Sequence, residues 1–165
     1  MKKLADLLIV VGIFLISNVC FASISVDRIA LGGISIDSSL KYVRSIYGSP
    51  NHIDSYAKGS CWKLKYGDGF FVWASSRGGA NYEKGTYYVD QVIADKDNGI
   101  ATPDGIKVGM KENIIEDTYG EPFSMHRRDG LLLYWYFDNS GQDKLLEIGV
   151  SDGIIREIRC VQADD

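Results

Sequence analysis

The sequence predicts an α+β protein: two tandem α-β-β-β units forming one antiparallel sheet, with short helices packed on one face. Three observations lead there. A short amphipathic run closing on Tyr-Gly-x-Pro occurs twice, at Tyr47-Gly48-Ser49-Pro50 and at Tyr119-Gly120-Glu121-Pro122. Behind each copy lie short alternating, aromatic-rich runs separated by Gly and Asp turns, the pattern of half-buried strands. The spacing also repeats. Gly48 and Gly120 stand as far apart as Ile34 and Ile106, while VDQV at 89–92 and IREI at 155–158 match a few residues closer, the difference falling in the polar loop 76–85.

The chain opens MKKLADLLIVVGIFLISNVCFA. Lys2 and Lys3 supply a positive start, residues 7–16 an apolar run, and Cys20-Phe21-Ala22 small residues at the −3 and −1 positions. This predicts a signal peptide over 1–22, cleaved after Ala22, and a secreted, periplasmic or cell-envelope protein. The apolar run is shorter than the roughly 20 residues of a membrane span, and no second one follows. Cys20 raises lipidation as an alternative, but a lipobox wants a small residue immediately before the cysteine and Leu three before it. Val19 and Ser17 stand there, so a cleaved, unanchored chain is the expectation. The units then run over 23–94 and 106–165, with a connector at 95–105.

In the first unit the helix is expected to begin near Asp37-Ser38-Ser39, any of which can accept from a free N–H of the first turn. Leu40, Val43 and Ile46/Tyr47 make its apolar face. Gly48 provides the left-handed stop and Pro50 blocks continuation. Two to three turns are too few to be stable without packing. Strands are expected at 61–66, 70–75 and 86–94, the first two joined by the Gly67-Asp68-Gly69 turn. The second unit repeats the order with a helix near 111–119 and strands at 131–137, 145–150 and 154–161. Joining the two small sheets edge to edge removes an exposed edge and leaves one face open.

The paired segments Ile34…Tyr47-Gly48-Ser49-Pro50 and Ile106-Lys107-Val108-Gly109-Met110…Tyr119-Gly120-Glu121-Pro122 resemble the repeat of β-lactamase-inhibitor-protein-like domains. The second copy also resembles outer-membrane assembly lipoproteins of the SmpA/OmlA type. The resemblance implies helical segments on a small antiparallel sheet, and a tandem form that grips another protein with its open sheet face. The inhibitor proteins carry a disulfide inside each unit, whereas this chain has one cysteine in each. No inhibitory residue carries over, because recognition in those proteins does not lie in the Tyr-Gly-x-Pro motif.

The formal net charge is −4 and no stripe of Lys and Arg is present, which argues against nucleic acid and anionic lipid surfaces as partners. His52 and His126 lack the convergent ligands of a metal site and read as solvated loop residues. Asp95-Lys96-Asp97-Asn98-Gly99 has glycine at the fifth position, where a calcium loop needs an oxygen ligand, and reads as a tight turn. No nucleophile elbow, orienting base or cofactor motif stands in the chain, so a non-enzyme without cofactor is expected.

Cys61 and Cys160 survive cleavage, and an even count in an oxidising compartment suggests a disulfide. Strand parity argues the other way: Cys61 alternates with Lys63 and Lys65, Cys160 with Ile158 and Ile154. Lysines sharing the Cys61 face could also lower its pKa.

The aromatic set points furthest toward function. One helix layer covers one sheet face, so part of this set must be bare, and Tyr and Trp dominate binding hot spots. Phe71, Trp73, Tyr88, Tyr134 and Tyr136 are the candidate contacts with another protein. Tyr134 and Tyr136 lie opposite Leu133, Trp135 and Phe137 in parity, and sequence does not say which set is bare. The expected function is thus an exported protein-binding module, inhibitor-like in kind. A structural envelope or outer-membrane assembly accessory is the alternative.

Overall fold

The computed structural model describes residues 23–77, 86–141 and 143–163. The expected signal peptide 1–22 with Cys20, and all of the polar loop from 78 to 85, lie outside the described residues. The chain enters through a small hairpin, β1 (Ala30–Leu31) and β2 (Ile34–Ser35), turned at Gly32-Gly33. Gly32 has φ +60°, and a Cβ there would come within 2.2 Å of the Tyr47 hydroxyl. That hydroxyl donates to the Gly32 carbonyl at 2.6 Å. The glycine is therefore required twice, by its backbone conformation and by the ring seated on it.

Helix α1 (Leu40–Tyr47) begins where Ser39 Oγ accepts from the Tyr42 N–H and ends at Gly48, φ 71°. Leu40 and Val43 are buried, each contributing about 1.5–3 kcal/mol by leaving water. Ile46, counted above in the apolar face, is instead exposed. Helix α2 (Asn113–Tyr119) starts two residues later than its pattern suggests, after Glu112, whose side chain makes no capping bond. It buries Ile115 and Tyr119 and ends at Gly120, φ 78°.

The strands are β3 (His52–Tyr56), β4 (Cys61–Tyr66), β5 (Phe70–Ser76), β6 (Tyr87–Ala94), β7 (Ser124–Arg128), β8 (Leu131–Phe137), β9 (Lys144–Ser151) and β10 (Ile154–Gln162). They form one antiparallel sheet in the order β3-β4-β5-β6-β10-β9-β8-β7. The class is α+β, as expected, but each half carries one strand more than the α-β-β-β order. The additions, β3 and β7, are the two edges of the sheet. HIDSY and SMHRR are exposed along most of their length, so no apolar alternation marks them, and His52 and His126 lie on edge strands rather than in loops.

The halves meet where β6 pairs β10, with Ala94 opposite Ile158 and Val92 opposite Cys160. Leu64, Val72, Val92, Ile158, Ile148 and Tyr136 project to one side into a core shared with Leu40, Val43, Ile115, Leu31 and Ile34. Both helices and the β1–β2 hairpin therefore cover the same face. Among the described residues no helix lies on the other.

Candidate functional site

The open face is built by strand parity from β4 across to β8. Register places Lys63 opposite Trp73 and Lys65 opposite Phe71, then Trp73 opposite Gln91 and Phe71 opposite Ile93. A bulge between Trp73 and Ala74 keeps both flanking segments facing correctly. Beyond the central joint, Arg159 pairs Glu147 and Val161 pairs Leu145. Glu147 in turn pairs Trp135, and Leu145 pairs Phe137. The outward side chains thus form two continuous rows across six strands.

On the β3–β5 side the rows are aromatic and cationic. Tyr56 stacks on Trp73 with ring centroids 5.2 Å apart. The Lys63 ammonium stands 4.8 Å from the centre of the Phe71 ring and 5.3 Å from that of Trp73, within cation–π range.

On the β8–β10 side an ion network holds the surface. Arg128 binds Glu147 with two bonds, at 2.8 and 3.2 Å, and reaches Glu157 at 2.8 Å. Arg159 grips Glu157 at 2.6 and 2.9 Å, and the Trp135 indole donates to Glu147 at 2.9 Å. Burial works against the Arg128 cation, but the bond and charge of Glu147 and the charge of Glu157 outweigh it and raise its pKa. The network has two charges of each sign, so it fixes Trp135 without offering a free charge. Phe137 meets Phe123 edge-on at 4.9 Å, and His126 lies 4.2 Å from Trp135. On the β8–β10 side, reaching Gln91 of β6, runs a concavity of about 370 Å³ lined by Leu145, Val161, Trp135, Phe137 and Arg159 among others.

The expected contact set divides between the faces. Phe71, Trp73 and Tyr88 lie on the open face, half-buried. Tyr134 and Tyr136 do not: they are 6% and 0% exposed, on the helix side. Tyr134 donates to Glu112 at 2.5 Å and Tyr136 to the Gly120 carbonyl at 2.9 Å. Their places on the open face belong to Trp135 and Phe137. A readable signal existed: Glu147 is the one charge inside the apolar run LLEIGV, which marks the outward parity of β9, and antiparallel pairing then sets Trp135 opposite it. Edge residues Tyr56 and Phe123 carried no such mark.

Cys61 and Cys160 are free thiols. Cys61 lies on the open face, while Cys160 is fully buried on the helix face, so the sheet separates them and no disulfide forms. Burial raises both pKa values, and the Asp90 charge adds to the rise at Cys61. The neighbouring lysines do not make Cys61 a thiolate; they are drawn over aromatic rings instead. His52 bonds Asp54 at 3.0 Å in solvent. Among the described residues no three of His, Cys, Asp and Glu converge as a metal site would require, and no helix is long and apolar enough to cross a membrane.

No family model and no curated protein matches the chain. Solved structures do. A DUF4309 family protein from Bacillus subtilis is 13% identical over 79% of this chain and 82% of its own, with a TM-score of 0.46. An extracellular protein containing an SCP domain from Bacillus anthracis is 9% identical over 77% of this chain, with a TM-score of 0.49. A cysteine-rich secretory protein from Staphylococcus aureus is 12% identical over 77% of this chain, with a TM-score of 0.46. The chain spans 44% of each of the latter two.

Proposed function

We propose that this chain is an exported, non-enzymatic module that binds another protein through its open sheet face. One observation carries the reading: Phe71, Trp73, Trp135 and Phe137 stand half-exposed in register across a face that no described element covers. Large rings held rigidly lose little entropy on contact, which suits them as interface anchors. The Glu147 network leaves the β8–β10 side without a free charge, and the concavity beside it gives a partner side chain a place to enter.

On the same reading the two halves are tandem copies of one unit. Supporting this, Asn51 N–H bonds Lys65 O and Phe123 N–H bonds Trp135 O, each three residues after the helix-ending glycine. This is the arrangement implied by the resemblance to β-lactamase-inhibitor-protein-like domains. Export rests on the leader 1–22, and Ser23 as the first residue by mass spectrometry of the secreted chain tests it; a lipidated Cys20 would put the protein on a membrane instead.

A photo-crosslinking residue placed at Phe71 or Trp135 tests the face itself, with Tyr42, exposed on the helix side, as control. Discrete protein adducts from the first two positions and none from Tyr42 are expected. Adducts only from Tyr42, or none anywhere in the native extracellular milieu, remove the open-face reading.

A further inference from the structure

The strand carboxylates on the open face are already engaged. Glu147 and Glu157 are held by Arg128 and Arg159, and Asp90 accepts from Arg77. Asp54 stands opposite Lys63 in the β3–β4 register, yet its carboxylate lies 3.0 Å from the His52 ring and forms no ion pair with that lysine. Lys63 and Lys65 are left over. Among the described residues neither pairs with a carboxylate, and both ammonium groups rest on rings instead, Lys63 beside Phe71 and Trp73 and Lys65 5.8 Å from the centre of Phe71. This end of the face therefore carries unneutralised positive charge, on a chain whose formal net charge is −4.

The two lysines are alternate residues of β4, so they share a face with their Cα atoms roughly 7 Å apart. That is also the spacing of alternate side chains on an extended partner segment. A cation over a ring at an exposed site is held by only about 0.5–1 kcal/mol. A partner's carboxylate can thus take up either ammonium without first breaking an internal ion pair. Beside the lysines the surface is apolar: Phe71 and Trp73 on β5, and Ile93 opposite Phe71 on β6.

Resting on the open-face reading above, we propose that the partner presents an acidic, extended polypeptide segment to β4 and β5. Its carboxylates meet Lys63 and Lys65, and its apolar side chains meet Phe71 and Trp73. Charge complementarity selects the sign, and the surroundings select the class. A polyanion charged at every unit finds only these two cations, and in either direction across the sheet it meets carboxylates: Asp54 on β3, or Glu147 and Glu157 beyond β6. A polypeptide can place charge over β4 and neutral side chains elsewhere.

The test titrates the whole secreted chain, followed by amide NMR, with a short blocked peptide of alternating glutamate and leucine. The same peptide with glutamine for glutamate, and inorganic polyphosphate, are the comparisons. Expected are shifts centred on Lys63, Lys65, Phe71 and Trp73 with the acidic peptide, binding that weakens as NaCl rises from about 0.01 M to about 1 M, and binding about tenfold weaker for the glutamine peptide. The double variant Lys63→Gln, Lys65→Gln should lose about the same tenfold, the equivalent of two exposed ion pairs, whereas Lys41→Gln on α1 should lose nothing. Equal binding of the two peptides, shifts with polyphosphate as large as with the acidic peptide, or no shifts with any probe would each overturn the assignment. Photo-crosslinking from Phe71 separates this inference from the one beneath it. Adducts undiminished in Lys63→Gln, Lys65→Gln would remove the acidic segment and keep the face, while adducts absent from the parent as well would remove both.

Discussion

The Trp135 indole N–H donates to Glu147 Oε2 at 2.9 Å across the β8–β9 ladder. Glu147 is almost fully buried although it sits on the open face, because Arg128, Arg159 and Trp135 close over it. Glu147→Ala leaves those donors without their shared acceptor. The loss should be roughly 1–3 kcal/mol, below the usual figure for a broken buried pair because Arg128 is a third exposed and keeps Glu157. Glu147→Gln retains an acceptor for Trp135 and should cost less. Urea denaturation ranks the two, and equal stability of Glu147→Ala and the parent would remove the network from the account of the face.

Tyr66 and Tyr136 should respond oppositely to loss of one oxygen. Tyr136→Phe gives up the bond to Gly120 and orphans nothing that water cannot reach, for a loss of about 1 kcal/mol. Tyr66→Phe removes an unsatisfied hydroxyl from a buried place and should gain about 1 kcal/mol. Thermal unfolding of the two variants side by side gives the sign directly. A destabilised Tyr66→Phe would mean that the hydroxyl is satisfied in solution.

Gly32→Ala is expected to be among the more damaging single changes outside the sheet. The new methyl meets the Tyr47 hydroxyl at 2.2 Å, and φ +60° is itself unfavourable for alanine. Breaking the Tyr47–Gly32 bond also frees the end of α1, so a loss of about 2–3 kcal/mol is expected. Gly33→Ala shares the positive φ but meets no atom within 4 Å, and should cost about 1 kcal/mol. Comparable losses in the two would show that sterics against Tyr47 contribute nothing.

These residues also show how far the sequence could be read. Gly48 and Gly120 declare the ends of the helices through backbone chemistry that is local, so the end of α1 is legible to the residue, while its start is legible only as one of Asp37, Ser38 and Ser39, of which Ser39 caps. Strands β4, β5 and β8 declare themselves by alternation or apolar length. The edges β3 and β7 did not, because a strand with water on both faces needs no apolar pattern. The face of β8 was ambiguous for a different reason: Tyr134, Trp135, Tyr136 and Phe137 are all large, and period two separates them into sets without ranking the sets. Only pairing with β9, where Glu147 marks the outward side, resolves it.

Thiol chemistry follows from the two faces of the sheet. Cys61 is half-buried with its pKa raised by burial and by Asp90, so it should alkylate slowly in the native protein. Cys160, fully buried, should be protected until global unfolding. Mass spectrometry after a timed iodoacetamide pulse should therefore give partial labelling at Cys61, none at Cys160, and both in urea. A mass two units low that reductant restores would reveal a bridge and contradict their separation.

Alkali should destabilise this protein through its buried tyrosines and Cys160. Burial is the leading cause that holds Tyr119, Tyr134 and Tyr136 above their ordinary value of 10.0, and Cys160 above 9.0. At Tyr134 and Tyr136 nearby glutamates, Glu112 and Glu116, push in the same direction. Each folded-state pKa exceeds its unfolded one, so at high pH the unfolded chain releases protons that the fold retains. Linkage then makes stability fall as pH rises. The contribution of these groups is complete below about pH 9, begins to decline as Cys160 would ionise in the unfolded chain, and declines more steeply above about pH 10 as the tyrosines join it. Melting temperature measured from about pH 8 to pH 11 should be level and then drop, and the double variant Tyr119→Phe, Tyr136→Phe should show a shallower drop from a lower starting point. A level profile to pH 11 in the parent would mean that these hydroxyls ionise as readily in the fold as in the free chain, and that the helix-side core is open to water.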